Sequence, residues 1–326
     1  MEKRLTEIFN QTVNEIKISD PLKLEKFILV FKDDIIYKTD DQRAVKNYEY
    51  HKDTIKKNVL ENSLGELINV TRPNSDDTVF NLLYIPSAHI GQRPHLSNII
   101  KDYDYMFNVS VFDHEMGHLL VGKEEAKAES YAALMHVKRF GNKTGFLEQA
   151  AFEIAECVTC QTVPEISQFS SNCWFAVEAL SKEIDISKLS LKEIIDYAEL
   201  IPEKFEFSAE KLETISNIYQ NCLDDENSLI INNVINKMHK HIDDDDVYRV
   251  GKTILSQPHI KGELKIKFEF LDSADKSRGF ILNPIEALDK ETGTSSIKEL
   301  VAEKNSDTPK ILTKKLARYN LGIPIR

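Results

Sequence analysis

The sequence predicts an α+β, mostly helical protein. It would have a mixed α/β amino-terminal lobe with a small sheet, a histidine-bearing helix at the junction, and a helical carboxy-terminal lobe. Three observations predict this. Runs rich in β-branched and aromatic residues cluster in the first third of the chain. From Glu124 to Leu255 apolar residues recur at three-to-four spacing with few breaks. Between the two regions, His114-Glu115-Met116-Gly117-His118 sets two histidines four residues apart, on one helical face. The expected units are 1–122, ending in the histidine helix, then a helical lobe at 123–261, and a carboxy-terminal extension at 262–326 of strand plus tail.

The elements follow in order. Leu5, Ile8, Phe9, Val13 and Ile16 trace an amphipathic helix that stops near Ser19-Asp20-Pro21. Phe27 to Tyr37 reads as a strand pair or a short helix, and Lys38 to Asn62 as helix plus connection. Thr78 to Ile85, bounded by Asn74-Ser75-Asp76-Asp77 and Pro86, is the clearest strand. Met106 to Phe112 alternates as a second strand would, leading into the histidine helix. Helices are expected at 124–140, 145–160, 172–182, 191–200, 208–222, 228–241 and 245–255, with Ser208 as an N-cap. Leu264 to Phe270 alternates like a strand, and Thr292 to Arg326 reads as a loop-rich, basic tail.

Composition narrows the function classes. Hydrophobic residues at 41% and charged residues at 29% are those of a soluble globular chain. A net charge of -11 argues against a nucleic-acid or acidic-membrane partner. No apolar run approaches the length of a membrane span, and the charged start lacks the apolar core of a signal peptide. Four cysteines in 326 residues point to a reducing compartment, cytoplasmic by default. Export by a signal-independent route, as an effector entering a host cell, fits the same sequence. Its Lys-, Ile- and Asn-rich composition suits a low-GC bacterium.

The chemistry centres on His114-Glu115-x-x-His118. Zinc takes imidazole nitrogens at about 2.0–2.1 Å and, in catalytic sites, three protein ligands plus a water. Two imidazoles one turn apart supply two ligands, and Glu115 beside them is placed to take a proton from the water. The plain alternative is a pair of histidines on a half-buried helix face. Gly122 is expected to stop the helix in a left-handed cap, and Glu124, Glu125 and Glu129 follow at once. As an isolated run those acids, with Lys123 and Lys127, would read as a solvated face. After such a helix, each is a candidate third ligand.

From Phe107 to Phe140 the chain resembles the gluzincin group of HExxH zinc peptidases, in particular its compact bacterial forms, through His114-Glu115-x-x-His118 and Glu125-x-x-x-Glu129-Ser130-Tyr131-Ala132-Ala133. The resemblance implies a zincin-like fold, one zinc ion, and Glu125 as third ligand. It implies Glu129 as the group behind it that holds a histidine ring, where the pattern has aspartate. It also implies an edge strand that pairs with extended substrate, assigned here to Val79, Asn81 and Leu83 of Thr78–Ile85.

Other features are weaker. An oxyanion donor from the second lobe would come from His239, His241, Tyr248 or His259, none singled out by spacing. His89 and His95 lie in a loop-like segment. Cys157-Val158-Thr159-Cys160, Cys173 and Cys222 read as core thiols, and Asp243-Asp244-Asp245-Asp246 as a solvated helix start. The expected function is a zinc endopeptidase hydrolysing a protein or peptide, with Glu115 as general base. The alternative is a non-catalytic interaction or regulatory module whose metal site is structural or absent. A regulatory peptidase with one folded target also fits.

Overall fold

The computed structural model describes residues 1–32, 34–59, 64–71, 77–91, 94–98, 100–142, 172–220, 227–256 and 284–306, with Phe146, Ala150, Ile154, Cys222, Asp275 and Lys276. The chain is α+β and mostly helical, with one small mixed sheet. Helix α1 (Glu2–Ser19) is followed by β1 (Phe27–Phe31), β2 (Asp34–Lys38), α2 (Gln42–Val59), β3 (Glu66–Thr71) and β4 (Thr78–Ile85). The sheet order is β2-β1-β4-β3, with β1 and β4 parallel and the outer pairs antiparallel.

Strand β1 is buried at every residue, because the sheet is covered on both faces. Alternate side chains divide between two cores. Phe27, Leu29, Phe31, Leu83 and Ile85 enter the main core, and Ile28, Val30, Phe80, Leu82 and Tyr84 meet Ala44 and Tyr48 of α2. Strand β4 is therefore an inner strand, which corrects the assignment of Val79, Asn81 and Leu83 to a substrate edge. Asn81 pairs with Phe27 on one side and Asn69 on the other, so its backbone is committed within the sheet. Among the described residues, the outer strand on that side is β3.

After α3 (Pro94–Ser97) comes the long α4 (Tyr103–Val121), then α5 (Glu125–Phe140). The strand expected at Met106–Phe112 is instead the first half of α4. That helix is buried on more than one side: Tyr105, Val109, Phe112 and Met116 face the main core, while Met106 and Phe107 face a smaller one. Two apolar faces blur the helical period and leave a chance alternation.

The helical part continues with α6 (Cys173–Glu183), α7 (Leu191–Phe205), α8 (Ala209–Tyr219), α9 (Asn227–Lys240) and α10 (Asp245–Leu255). Ser208 caps α8, as expected, by accepting from Lys211 N–H. Asp244 caps α10 by accepting from the Asp246 and Val247 N–H groups. The loop-rich reading from Thr292 is corrected by α12 (Ser296–Lys304), which follows α11 (Pro284–Thr292). Ile285, Ile297 and Leu300 anchor this pair in the main core. Cys157, Cys160, His259 and the Leu264–Phe270 run lie outside the described residues. No helix among the described residues is long and apolar enough to cross a membrane.

Candidate metal centre

Helices α4 and α5 form a tight antiparallel hairpin, and the site lies on its inner face. Gly122 ends α4 at φ 111° and ψ -176°. The helix stops where expected, but in an extended positive-φ conformation rather than a left-handed α cap; either one favours glycine. Lys23 stabilises that terminus, donating from Nζ to the Leu120 carbonyl at 3.0 Å. Further along, Gly117 lets the helices touch. A Cβ built there would lie 2.8 Å from Ala128 Cα and 3.0 Å from its carbonyl oxygen. The Asp113 carboxylate, fully buried, accepts from Arg139 of α5 at 2.9 and 3.1 Å, and the same guanidinium donates to Thr12 Oγ1. This ion pair ties α1, α4 and α5 together beside the site.

Glu125, at the start of α5, is brought against both histidines. Its Oε2 lies 3.2 Å from His114 Nε2 and 3.4 Å from His118 Nε2, and the two nitrogens are 3.1 Å apart. Glu124 is the N-cap residue of α5; its exposed side chain pairs with Lys127, away from the histidines. Glu129, one turn beyond Glu125, lies behind the His114 ring with Oε1 2.8 Å from Nδ1. Its other oxygen accepts from Trp174 Nε1 at 2.8 Å. On His118, Nδ1 faces the Gly122 carbonyl at 3.3 Å.

These outer contacts fix the ring tautomers. A carbonyl oxygen only accepts, so His118 carries its proton on Nδ1; the Glu129 carboxylate selects the same for His114. In their neutral forms both rings then present bare Nε2 lone pairs toward one another and toward a carboxylate oxygen. With both rings neutral, three electron-pair donors converge on one point. Around an ion with bonds of about 2.0–2.1 Å, tetrahedral ligand atoms stand about 3.3–3.4 Å apart, close to the observed triangle. His114, His118 and Glu125 can hold a metal ion.

Electrostatics agree. Burial disfavours a charged His114 ring, yet Glu129, Glu125 and Glu115 raise its pKa well above the ordinary histidine value. Burial pushes the Glu125 carboxyl up, but the two imidazoles outweigh that and hold it well below the carboxylate range. Glu115 is raised chiefly by burial, against the pull of His114 and a hydrogen bond from Leu67 N–H. Three carboxylates around two rings make a site that a cation would neutralise.

That Leu67 contact brings the sheet to the site. Leu67 N–H of β3 donates to Glu115 Oε2 at 2.8 Å. In an antiparallel strand alternate residues turn N–H and C=O to the same side, so Leu67 and Asn69 face the free edge. The outer edge of β3 therefore lies beside the His-His-Glu triad.

Of the oxyanion candidates, Tyr248, His239 and His241 are not gathered here, and His259 lies outside the described residues. Tyr248 is packed in a second core with Tyr219 and Met238, 1% exposed, so its hydroxyl is not presented to a cleft. His239 and His241 are exposed, at the end of α9 and just past it. His89, expected on a surface loop, is 9% exposed. Sequence reasoning missed Trp174, Arg139 and Leu67. Each acts across 26 to 48 residues, and no local pattern announces such contacts. Gly117 carried a readable signal, since a glycine inside a helix calls for a close neighbour.

The fold and site define a mostly helical α+β protein with a half-buried His-His-Glu cluster beside the outer strand of its sheet. No family model, curated protein or solved structure matches the chain.

Proposed function

We propose that the protein is a zinc-dependent endopeptidase acting on an extended segment of a protein or peptide. The observation that carries this reading is the converging triangle of His114 Nε2, His118 Nε2 and Glu125 Oε2, with Glu115 beside it. Two nitrogens and one carboxylate oxygen suit zinc, and a three-ligand site keeps a fourth position open. Zinc held there would acidify a water and polarise a substrate carbonyl.

The chain's own residues do the rest. Glu115 takes the proton of the attacking water and returns it to the leaving amine; Leu67 N–H occupies one of its oxygens and leaves the other for this transfer. Glu129, oriented by Trp174, holds the His114 ring in its ligating tautomer. Beyond the Leu67 N–H that Glu115 takes, the outer edge of β3 supplies backbone donors and acceptors for pairing with an extended chain.

Metal analysis of the purified protein should find one zinc per chain. Glu115→Gln should keep the fold and the zinc, and lower hydrolysis by at least about 10²-fold. The readout is new termini after incubation with a cell lysate, which also serves a peptidase with a single target. Identical termini from both proteins would sink the mechanism, and a stable fold without stoichiometric zinc would favour the interaction-module reading.

A further inference from the structure

We propose that His89 is a positioning residue that sets the free edge of β3 against the metal centre. The purpose of that edge rests on the peptidase reading; the linkage itself rests on geometry alone. His89 lies in the segment after β4, and its backbone is clamped to the histidine helix. Asn108 Oδ1 accepts from His89 N–H at 2.8 Å, and Asn108 Nδ2 donates to the His89 carbonyl at 2.7 Å. Asp104, one turn earlier on α4, holds the same segment by accepting from Gly91 N–H and Ser97 Oγ.

The imidazole then reaches out of this clamp. His89 Nε2 lies 2.7 Å from the Leu64 carbonyl. A carbonyl only accepts, so Nε2 is the donor. Leu64 immediately precedes Gly65 and β3. A Cβ on Gly65 would meet Val111 Cγ1 of α4 at 3.3 Å, so the strand enters in contact with the helix. Three residues past Leu64, Leu67 N–H donates to Glu115.

The links close a ring. It runs from Asn108 on α4 to His89, to Leu64, along β3 to Leu67, and back to α4 at Glu115. Asn108 and Glu115 are two helical turns apart, so both face the same strand. The β4 ladder holds one side of β3, and on its other side Glu115 alone would fix the strand to α4 at one point. His89 supplies a second point at the strand's entry and fixes its distance from the triad. A long, clamped side chain with a ring N–H suits that reach.

Hydrogen–deuterium exchange of zinc-loaded wild type, His89→Ala and His89→Gln tests this. In His89→Ala the amides of Glu66–Thr71 should exchange about fivefold faster, the effect of a lost hydrogen bond worth about 1 kcal/mol. Amides of β1 and α5 should keep their wild-type rates. His89→Gln, whose amide also donates, should restore β3. Unchanged β3 exchange in His89→Ala would overturn the proposal, as would acceleration spread equally over β1 and α5, which marks a general loss of stability.

On a peptide that the wild type cleaves, His89→Ala should raise KM about tenfold with kcat nearly constant, and His89→Gln should recover it. A fall in kcat alone would count against the proposal. If the wild type cleaves no peptide, the peptidase reading fails while the exchange comparison still decides the role of His89. Should His89→Ala not fold, His89→Asn replaces it: its shorter amide stops short of Leu64, so β3 should exchange faster than in His89→Gln, and equal rates would overturn the linkage.

Discussion

His136 shows how much a single buried group contributes to the chain's response to pH. It lies on α5 at 5% exposure, against the rings of Phe140, Phe146 and Trp174, and neither ring nitrogen has a hydrogen-bond partner among the described residues. Burial lowers its pKa from 6.5 to about 4. The unfolded chain binds a proton as pH falls through 6.5, and the native chain refuses one until about 4. Stability is therefore complete above 6.5 and declines between 6.5 and 4. A shift of this size corresponds to about 3 kcal/mol at most. Denaturant titrations at pH 7 and pH 4.5 should show the loss in wild type and a smaller one in His136→Phe. Equal slopes in both proteins would assign the acid sensitivity elsewhere. Among the residues of the metal centre, His114, Glu115 and His118 were legible because chemistry ties their types to a fixed spacing. Glu125 was one of three acids until the hairpin turned Glu124 to solvent and put Glu129 behind a ring.

At the scale of elements, the centre depends on how closely α4 and α5 approach. Gly117 permits backbone contact with Ala128, and rigid helices cannot make room locally for one more carbon. Gly117→Ala should destabilise the fold by about 1–3 kcal/mol. It should also weaken zinc binding, because Glu125 sits on the helix that must move. Urea denaturation and chelator competition measure the two effects; wild-type values in both would contradict the contact. The elements were legible unevenly. Helices α7 and α8 each bury one face, so their period survives in the sequence. The first half of α4 serves two cores and read as a strand. The nine-residue helix α12 carries few apolar residues, and its place against α7 is reinforced by the Lys204–Glu303 and Lys304–Asp196 ion pairs. The order of strands was not legible at all. The β1–β4 pairing joins segments some fifty residues apart, and only tertiary packing decides which of two similar strands becomes inner.

For the whole molecule, one core cluster draws residues from Leu5 to Leu300, and both helices of the centre are packed into it. Small zinc domains fold around their ion because they lack such a core. Here apolar burial and the Asp113–Arg139 pair hold the hairpin. Treatment with a chelator should leave the far-ultraviolet circular dichroism unchanged and lower Tm only by the linkage expected from metal affinity. Loss of helical signal on chelation would show that the ion organises the fold.

The three donors span only His114 to Glu125, one helix end, a short turn and the first turn of the next helix. The β3 contact to Glu115 closes a loop of 48 residues. Closing a short loop costs less chain entropy than closing a long one, and local contacts form first. The order of assembly follows: the hairpin acquires its ion-binding geometry while the sheet edge is still searching for its place. On the peptidase reading, a nascent chain would hold its metal before it could hold a substrate, and hydrolysis would begin only with the last long-range docking step.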